Sequence, residues 1–199
     1  MKRLRFQQGI TLIETLVGMA IVVLVLAMGM PSFSTYLQNT QIRNAAESIQ
    51  NGLSLARAEA TRRNTSIQFA LVGTDSSWTI GCTTADLTCP DTLRTQSRDA
   101  SEGSNNAVVA AWQEVASSHA AAATPVFTTT LTFNGFGKAS TLPAGHNAVY
   151  DVSNPTGGSC TTNSGGTMRC LRVVVTSGGQ IRMCDPRLTS TNPGNPQAC

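Results

Sequence analysis

The sequence predicts an α+β protein: one long N-terminal helix, apolar in its first half and amphipathic in its second, packed on a C-terminal antiparallel β-sheet domain. Three observations carry this. Residues 10–30 run for 21 positions with a single charge, Glu14. Apolar residues then continue at helical spacing to about residue 64. Beyond it the chain is rich in Gly, Ser, Thr and Asn and breaks into short β-rich runs between turn signals. A length of 199 residues suits one domain plus an appendage.

Charged residues make up 13% and aromatics 5%, both low for a soluble enzyme. The net charge of +3 is unevenly placed: +3 over residues 1–9, +1 over 10–66, −4 over 67–151 and +3 over 152–199. Without the first nine residues the chain is neutral. Nucleic-acid binding through overall positive charge is therefore disfavoured.

As a helix, the run from Ile10 to Met30 is about 30 Å long, the thickness of a bilayer core. Lys2, Arg3 and Arg5 ahead of it would stay cytoplasmic, which puts the rest of the chain outside the cytoplasm. Hydropathy alone leaves three readings. One is a secretory signal peptide, with Ala27-Met28-Gly29 as a poor cleavage site. One is a plain uncleaved anchor. The third is a leader cut on the cytoplasmic side, leaving the apolar run in the mature protein. Glu14 discriminates among them. A carboxylate inside a membrane helix costs roughly 2.5–3.5 kcal/mol and is a functional signal by default. It stands four residues after Ile10, one helical turn on. Cleavage between Gly9 and Ile10 would create an α-amino cation that needs an anionic partner in an apolar setting.

Gly9-Ile10-Thr11-Leu12-Ile13-Glu14 resembles the prepilin-peptidase site of type IV pilins and type II secretion pseudopilins. The resemblance extends to the short basic leader before it and the long apolar helix after it. It implies cleavage by prepilin peptidase after Gly9, N-methylation of Ile10, anchoring in the inner membrane and a periplasmic C-terminal domain. It also gives Glu14 the role of pairing with the N-terminal amine of a neighbouring subunit in a helical filament of pilins or pseudopilins. The family usually places Phe directly after the Gly; Ile10 departs from that.

The expected organisation is a leader over 1–9, a transmembrane and assembly helix over 10–31, its amphipathic half over 32–65 and the β domain over 66–199. Pro31 removes one backbone hydrogen bond and is expected to kink or locally melt the rod without ending it. After it, Phe33, Tyr36, Leu37, Ile42, Ala45, Ala46, Ile49, Leu53, Ala56 and Ala60 form the apolar stripe. Arg43 with Glu47 and Glu59 with Arg63 are i,i+4 pairs. The whole element would be about 80 Å long. A globular domain of this size cannot bury such a rod, so its first half needs a membrane or the core of a filament.

Ser66–Val72 and Trp78–Cys82 read as strands around the turn signal Gly73-Thr74-Asp75-Ser76. Val126–Asn134 alternates Phe127, Thr129, Leu131 and Phe133 on one face, a half-buried strand. Ala148–Val152 is a weaker strand signal. Leu171–Thr176 and Gln180–Cys184 flank Ser177-Gly178-Gly179 as a hairpin. Ala107–Ala123 stays open: Val108, Trp112 and Val115 stand near helical spacing, yet a strand or a loop fits as well. Leu131-Thr132-Phe133-Asn134-Gly135-Phe136-Gly137-Lys138 resembles the strand-and-turn motif of the GspH/FimT minor pilins and pseudopilins. Leu171–Cys184 resembles that family's last hairpin.

Six cysteines, Cys82, Cys89, Cys160, Cys170, Cys184 and Cys199, suggest disulfides in an exported domain. About 15 connectivities are open in principle. Spacing favours the local pairs Cys82–Cys89, Cys160–Cys170 and Cys184–Cys199. A zinc site lacks any Cys-x-x-Cys pair and has only His119 and His146 to draw on, so no metal or other cofactor is expected. No nucleophile elbow, P-loop, dinucleotide fingerprint or His-Glu-x-x-His motif occurs, and no catalytic residues are assigned.

The leading expectation is a structural filament subunit. The alternative is a DNA-binding minor pilin. Some FimT-like proteins take up DNA through a basic region following Gly-Arg-x-Arg. Here the stretch reads Gly179-Gln180-Ile181-Arg182, with Gln in place of the first Arg. Arg182 and Arg187, with Arg169 and Arg172 nearby, are the candidate phosphate contacts.

Overall fold

The computed structural model describes residues 9–98, 104–122, 129–161, 165–188, 195 and 197–199. The leader residues 1–8 and the first part of the Val126–Asn134 run, Phe127 included, lie outside them. Helix α1 spans Leu12–Arg63. The chain divides after Tyr36 into two units.

The first unit is the N-terminal part of α1. Its helix begins at Leu12 rather than Ile10, which corrects the expected one-turn spacing from Ile10 to Glu14. The cause is a cap. Thr11 Oγ1 accepts the Glu14 amide at 3.3 Å, so Thr11 is the N-cap and Glu14 the third helical residue. Pro31 does not end the helix. Phe33 and Tyr36 are exposed and do not belong to the buried stripe.

In the second unit the stripe runs from Ile42 through Ala45, Ala46, Ile49, Leu53, Ala56 and Ala60, all fully buried, while Leu37 is half-exposed. Alanines on this face let the strands approach closely. Gly52 carries that further: a Cβ there would stand 2.7 Å from the Trp78 ring and 2.8 Å from Phe69. The helix ends at Arg63 because Asn64 turns left-handed (φ 51°), an αL C-cap with Thr65 N donating to Ala60 O. Both expected helix pairs form, Arg43–Glu47 and Arg63–Glu59 at 2.8 Å each. Arg62 also reaches Glu59, and the two guanidiniums hold that carboxylate below its ordinary pKa.

The β domain consists of two antiparallel sheets. The strands are β1 (Ile67–Leu71), β2 (Trp78–Cys82), β3 (Arg94–Gln96), β4 (Val108–Val115), β5 (Ala120–Ala121), β6 (Thr130–Phe133), β7 (His146–Ser153), β8 (Leu171–Thr176) and β9 (Ile181–Cys184). The first sheet has the order β3-β2-β1-β6, the second β5-β4-β7-β8-β9. Both expected hairpins are present, β1–β2 in register from Ile67↔Cys82 to Leu71↔Trp78, and β8–β9 from Arg172↔Cys184 to Val175↔Ile181. The expected strand ending at Asn134 is described only as Thr130–Phe133.

The open segment Ala107–Ala123 resolves into β4, a turn and β5. Its pairing decides the conformation: all eight residues of β4 align with β7, from Val108↔Ser153 to Val115↔His146. The weak strand at Ala148–Val152 is the centre of the larger sheet, eight residues long. Its alternation is hidden because Ala148, Val149, Tyr150 and Val152 are all buried. Phe69 joins the layers, 5.8 Å from Trp78 and 5.9 Å edge-on to Tyr150. Burial holds the Tyr150 hydroxyl well above its usual pKa.

Candidate functional site

The first candidate site is the start of the described chain. Gly9 and Ile10 precede the helix and are exposed. Thr11-x-x-Glu14 has the spacing of a capping box, a signal legible in the sequence that the leader reading passed over. It places the Glu14 carboxylate in the first turn, beside the positive end of the helix. Between Ile10 and Leu26 eleven Leu, Ile and Val side chains are more than half exposed. At about 0.3–0.6 kcal/mol each on the insertion scale they favour a membrane by about 3–7 kcal/mol. That exceeds the roughly 2.5–3.5 kcal/mol cost of Glu14. The run is the one segment, among the described residues, long and apolar enough to cross a membrane.

The second candidate is the basic strand β9 and its surroundings. Its arginines are not a free cluster. Arg172 binds Asp151 through two bonds of 2.6 and 3.0 Å, lies 5.1 Å over the Trp112 ring and is only 19% exposed. Trp112 Nε1 donates to the same carboxylate at 2.8 Å. Arg169 Nε donates to Asp185 at 2.8 Å, and Asp185 is buried. Arg182 donates to the carbonyls of Ala198 and Cys199, both at 3.2 Å. Arg187 is exposed. The three arginines are committed to holding the sheet face and the C-terminal residues in place. Sequence reasoning saw the charges and missed these partners, because Asp151 pairs with Arg172 only through the β7–β8 register.

Three disulfides are present: Cys82–Cys89, Cys160–Cys170 and Cys184–Cys199, with Cα separations of 5.8, 5.4 and 5.2 Å. The last fastens the same C-terminal residues that Arg182 grips. His119 and His146 are not brought together as ligands. His119 sits in the β4–β5 turn with a left-handed φ of 53°, its Nδ1 3.7 Å from the buried Glu114, whose Oε1 accepts from Asn147 at 2.8 Å. His146 Nδ1 stands 3.2 Å from Ala144 O. Among the described residues no group of three or more His, Cys, Asp or Glu could hold a metal ion. A groove of about 420 Å³ lies beside α1, with Asn44, Glu47, Ser48, Trp78, Arg94 and Gln96 among its walls. Its Ser48 hydroxyl is engaged by Trp78 Nε1 and its Glu47 by Arg43.

A capped, exposed apolar helix followed by an antiparallel β domain defines the class: a pilin-like fold. Residues 45–179, more than half of the chain, match the family model described as type II transport protein GspH, and residues 4–30 match the prokaryotic N-terminal methylation motif. The chain belongs to the GspH family. Solved structures of two such proteins are similar. The crystal structure of the type IV minor pilin FimU of Pseudomonas aeruginosa is 16% identical, with a TM-score of 0.48 over 74% of this chain and 91% of that one. The solution structure of Escherichia coli GspH is 14% identical, with a TM-score of 0.44 over 76% of this chain and 92% of that one. No curated protein matches the sequence.

Proposed function

We propose that this chain is a minor structural subunit of a type IV pilus or of a type II secretion pseudopilus. Prepilin peptidase cuts it after Gly9, Ile10 is methylated, and the apolar half of α1 anchors it in the inner membrane with the β domain in the periplasm. Assembly moves that half from lipid into the core of a filament of pilins or pseudopilins. There Glu14 pairs with the α-amine of a neighbouring subunit. The observation that carries this reading is the exposed apolar run between Ile10 and Leu26, with Glu14 its single charge. It needs an apolar environment, and the carboxylate needs a cation there.

Glu14→Ala and Glu14→Gln are expected to leave cleavage intact and to abolish incorporation, so that the processed protein stays in the inner membrane. Fractionation of sheared filaments against membranes measures this. Normal incorporation of both variants would refute the pairing role. The DNA-uptake alternative gains no support from the arginine geometry, since Arg169, Arg172 and Arg182 have partners within the protein.

A further inference from the structure

Strand β3 is the outer strand of the smaller sheet, and the bonds around β2 fix the direction of its backbone groups. Val72 N donates to Ser77 O at 2.9 Å and Thr83 N to Ser66 O at 3.1 Å. In the β1–β2 register these bonds make Thr79 and Gly81 the β2 residues that bond to β1. Trp78 and Ile80 therefore turn their amides and carbonyls to the other side, where Ile80 O accepts from Leu93 N at 2.8 Å. Gln96 and Arg94 stand opposite them. Thr95, between the two, sends its N–H and C=O away from β2. Thr95 is exposed, and no described residue bonds to either group.

A short edge strand open to water is ordinary. This one borders the groove beside α1. Arg94 and Gln96 share a sheet face with Ile80 and Trp78, because opposite residues of a ladder point the same way, and both line the groove. The α1 wall carries Asn44, Glu47 and Asn51. The side-chain amides of Asn51 and Gln96 have no partner among the described residues. Glu47 is answered by Arg43 at 2.8 Å, whereas Arg94 is exposed and in no ion pair among the described residues. Unanswered positive charge and unpaired amides thus stand beside an unpaired backbone edge. A strand added at β3 would bond to Thr95 through its main chain and put alternate side chains into the groove.

We infer that β3 is a strand-addition site for an extended segment of a different protein. That segment carries a carboxylate opposite Arg94 and, two residues away, an amide or hydroxyl side chain opposite Gln96. A second copy of this chain does not meet the requirement: two β3 strands pairing antiparallel about Thr95 would set Gln96 opposite Arg94 and supply no carboxylate. The site stands on β3 and its groove, and it does not depend on the filament role.

The test uses the full-length chain in its native membrane. A photo-reactive phenylalanine analogue replaces Thr92, which is exposed two residues before β3, and the cross-linked peptides are sequenced. The expected product is a peptide of another protein with Asp or Glu two residues from Asn, Gln, Ser or Thr. Thr95→Pro removes the outward N–H and should lower the yield about tenfold. Pro is tolerated on an edge strand whose N–H faces solvent, so the thermal midpoint should not move. Thr95→Val keeps the N–H and should leave the yield unchanged, while Arg94→Glu should lower it about tenfold. A product within the chain, with a second copy or with lipid overturns the site, as does no product at all. A yield indifferent to Thr95→Pro or to Arg94→Glu overturns it too. A thermal midpoint lowered by Thr95→Pro would mean that the N–H is bonded within the protein, which also overturns it. A chain that never enters filaments would refute the filament role and leave this test standing.

Discussion

At the scale of single residues, the same side-chain chemistry has opposite meanings depending on its partners. Glu14 was legible because an acid in an apolar run stands out in any sequence; its place in the first turn follows from the Thr11 N-cap. The four C-terminal arginines were legible as charge and illegible as geometry. Asp151 and Asp185 are far from Arg172 and Arg169 in the chain, and the β7–β8 and β8–β9 registers bring these groups together. This decides the expectation for DNA. The detergent-solubilised full chain should show no micromolar affinity for duplex DNA near physiological salt, and Arg182→Gln should change nothing in a titration. A DNA site using two to four arginines would instead give a log–log salt slope of roughly −2 to −4, reduced by about one in Arg182→Gln. Such a slope, measured by fluorescence anisotropy across a salt series, would restore the uptake reading.

At the scale of elements, period and turn chemistry identified α1 and the two hairpins, because each buries one face and ends at a residue with a local reason to stop. The weak, open and missed strands have a common cause. β7 is buried on both faces and loses its alternation, β4 carries a coincidental helical spacing, and β3 is a three-residue edge strand made of Arg94, Thr95 and Gln96 with no apolar signal. Each depends on a partner strand distant in sequence. Gly52 is the clearest hidden element-level feature: in an amphipathic helix it reads as a weak point, yet it is the seat for the Trp78 and Phe69 rings. Gly52→Ala gains about 1 kcal/mol of helix propensity. It also drives a methyl into two aromatic rings, an overpacking that costs about 1–3 kcal/mol. A net destabilisation of about 1 kcal/mol is expected in denaturant unfolding. A stabilised variant would mean that the rings yield and that the helix–sheet contact is looser than described.

At the scale of the whole molecule, the chain combines a braced β domain with an apolar helical run whose large side chains are exposed among the described residues. The disulfides, the Asp151–Arg172–Trp112 assembly and the Arg182 grip on the C-terminal carbonyls all stiffen the second unit. The division of labour was visible in composition alone; the split of the β domain into two sheets was not, because sheet order is set by pairings that single strands do not encode. The central claim is that this apolar run is kept in the mature protein with a new amino terminus directly ahead of it. Intact-mass and N-terminal peptide mass spectrometry of the membrane-extracted protein tests it most directly. The expected result is loss of residues 1–9 and a chain beginning at Ile10 with one added methyl. A mature chain beginning near Met30, or one retaining Met1 uncut, would contradict it.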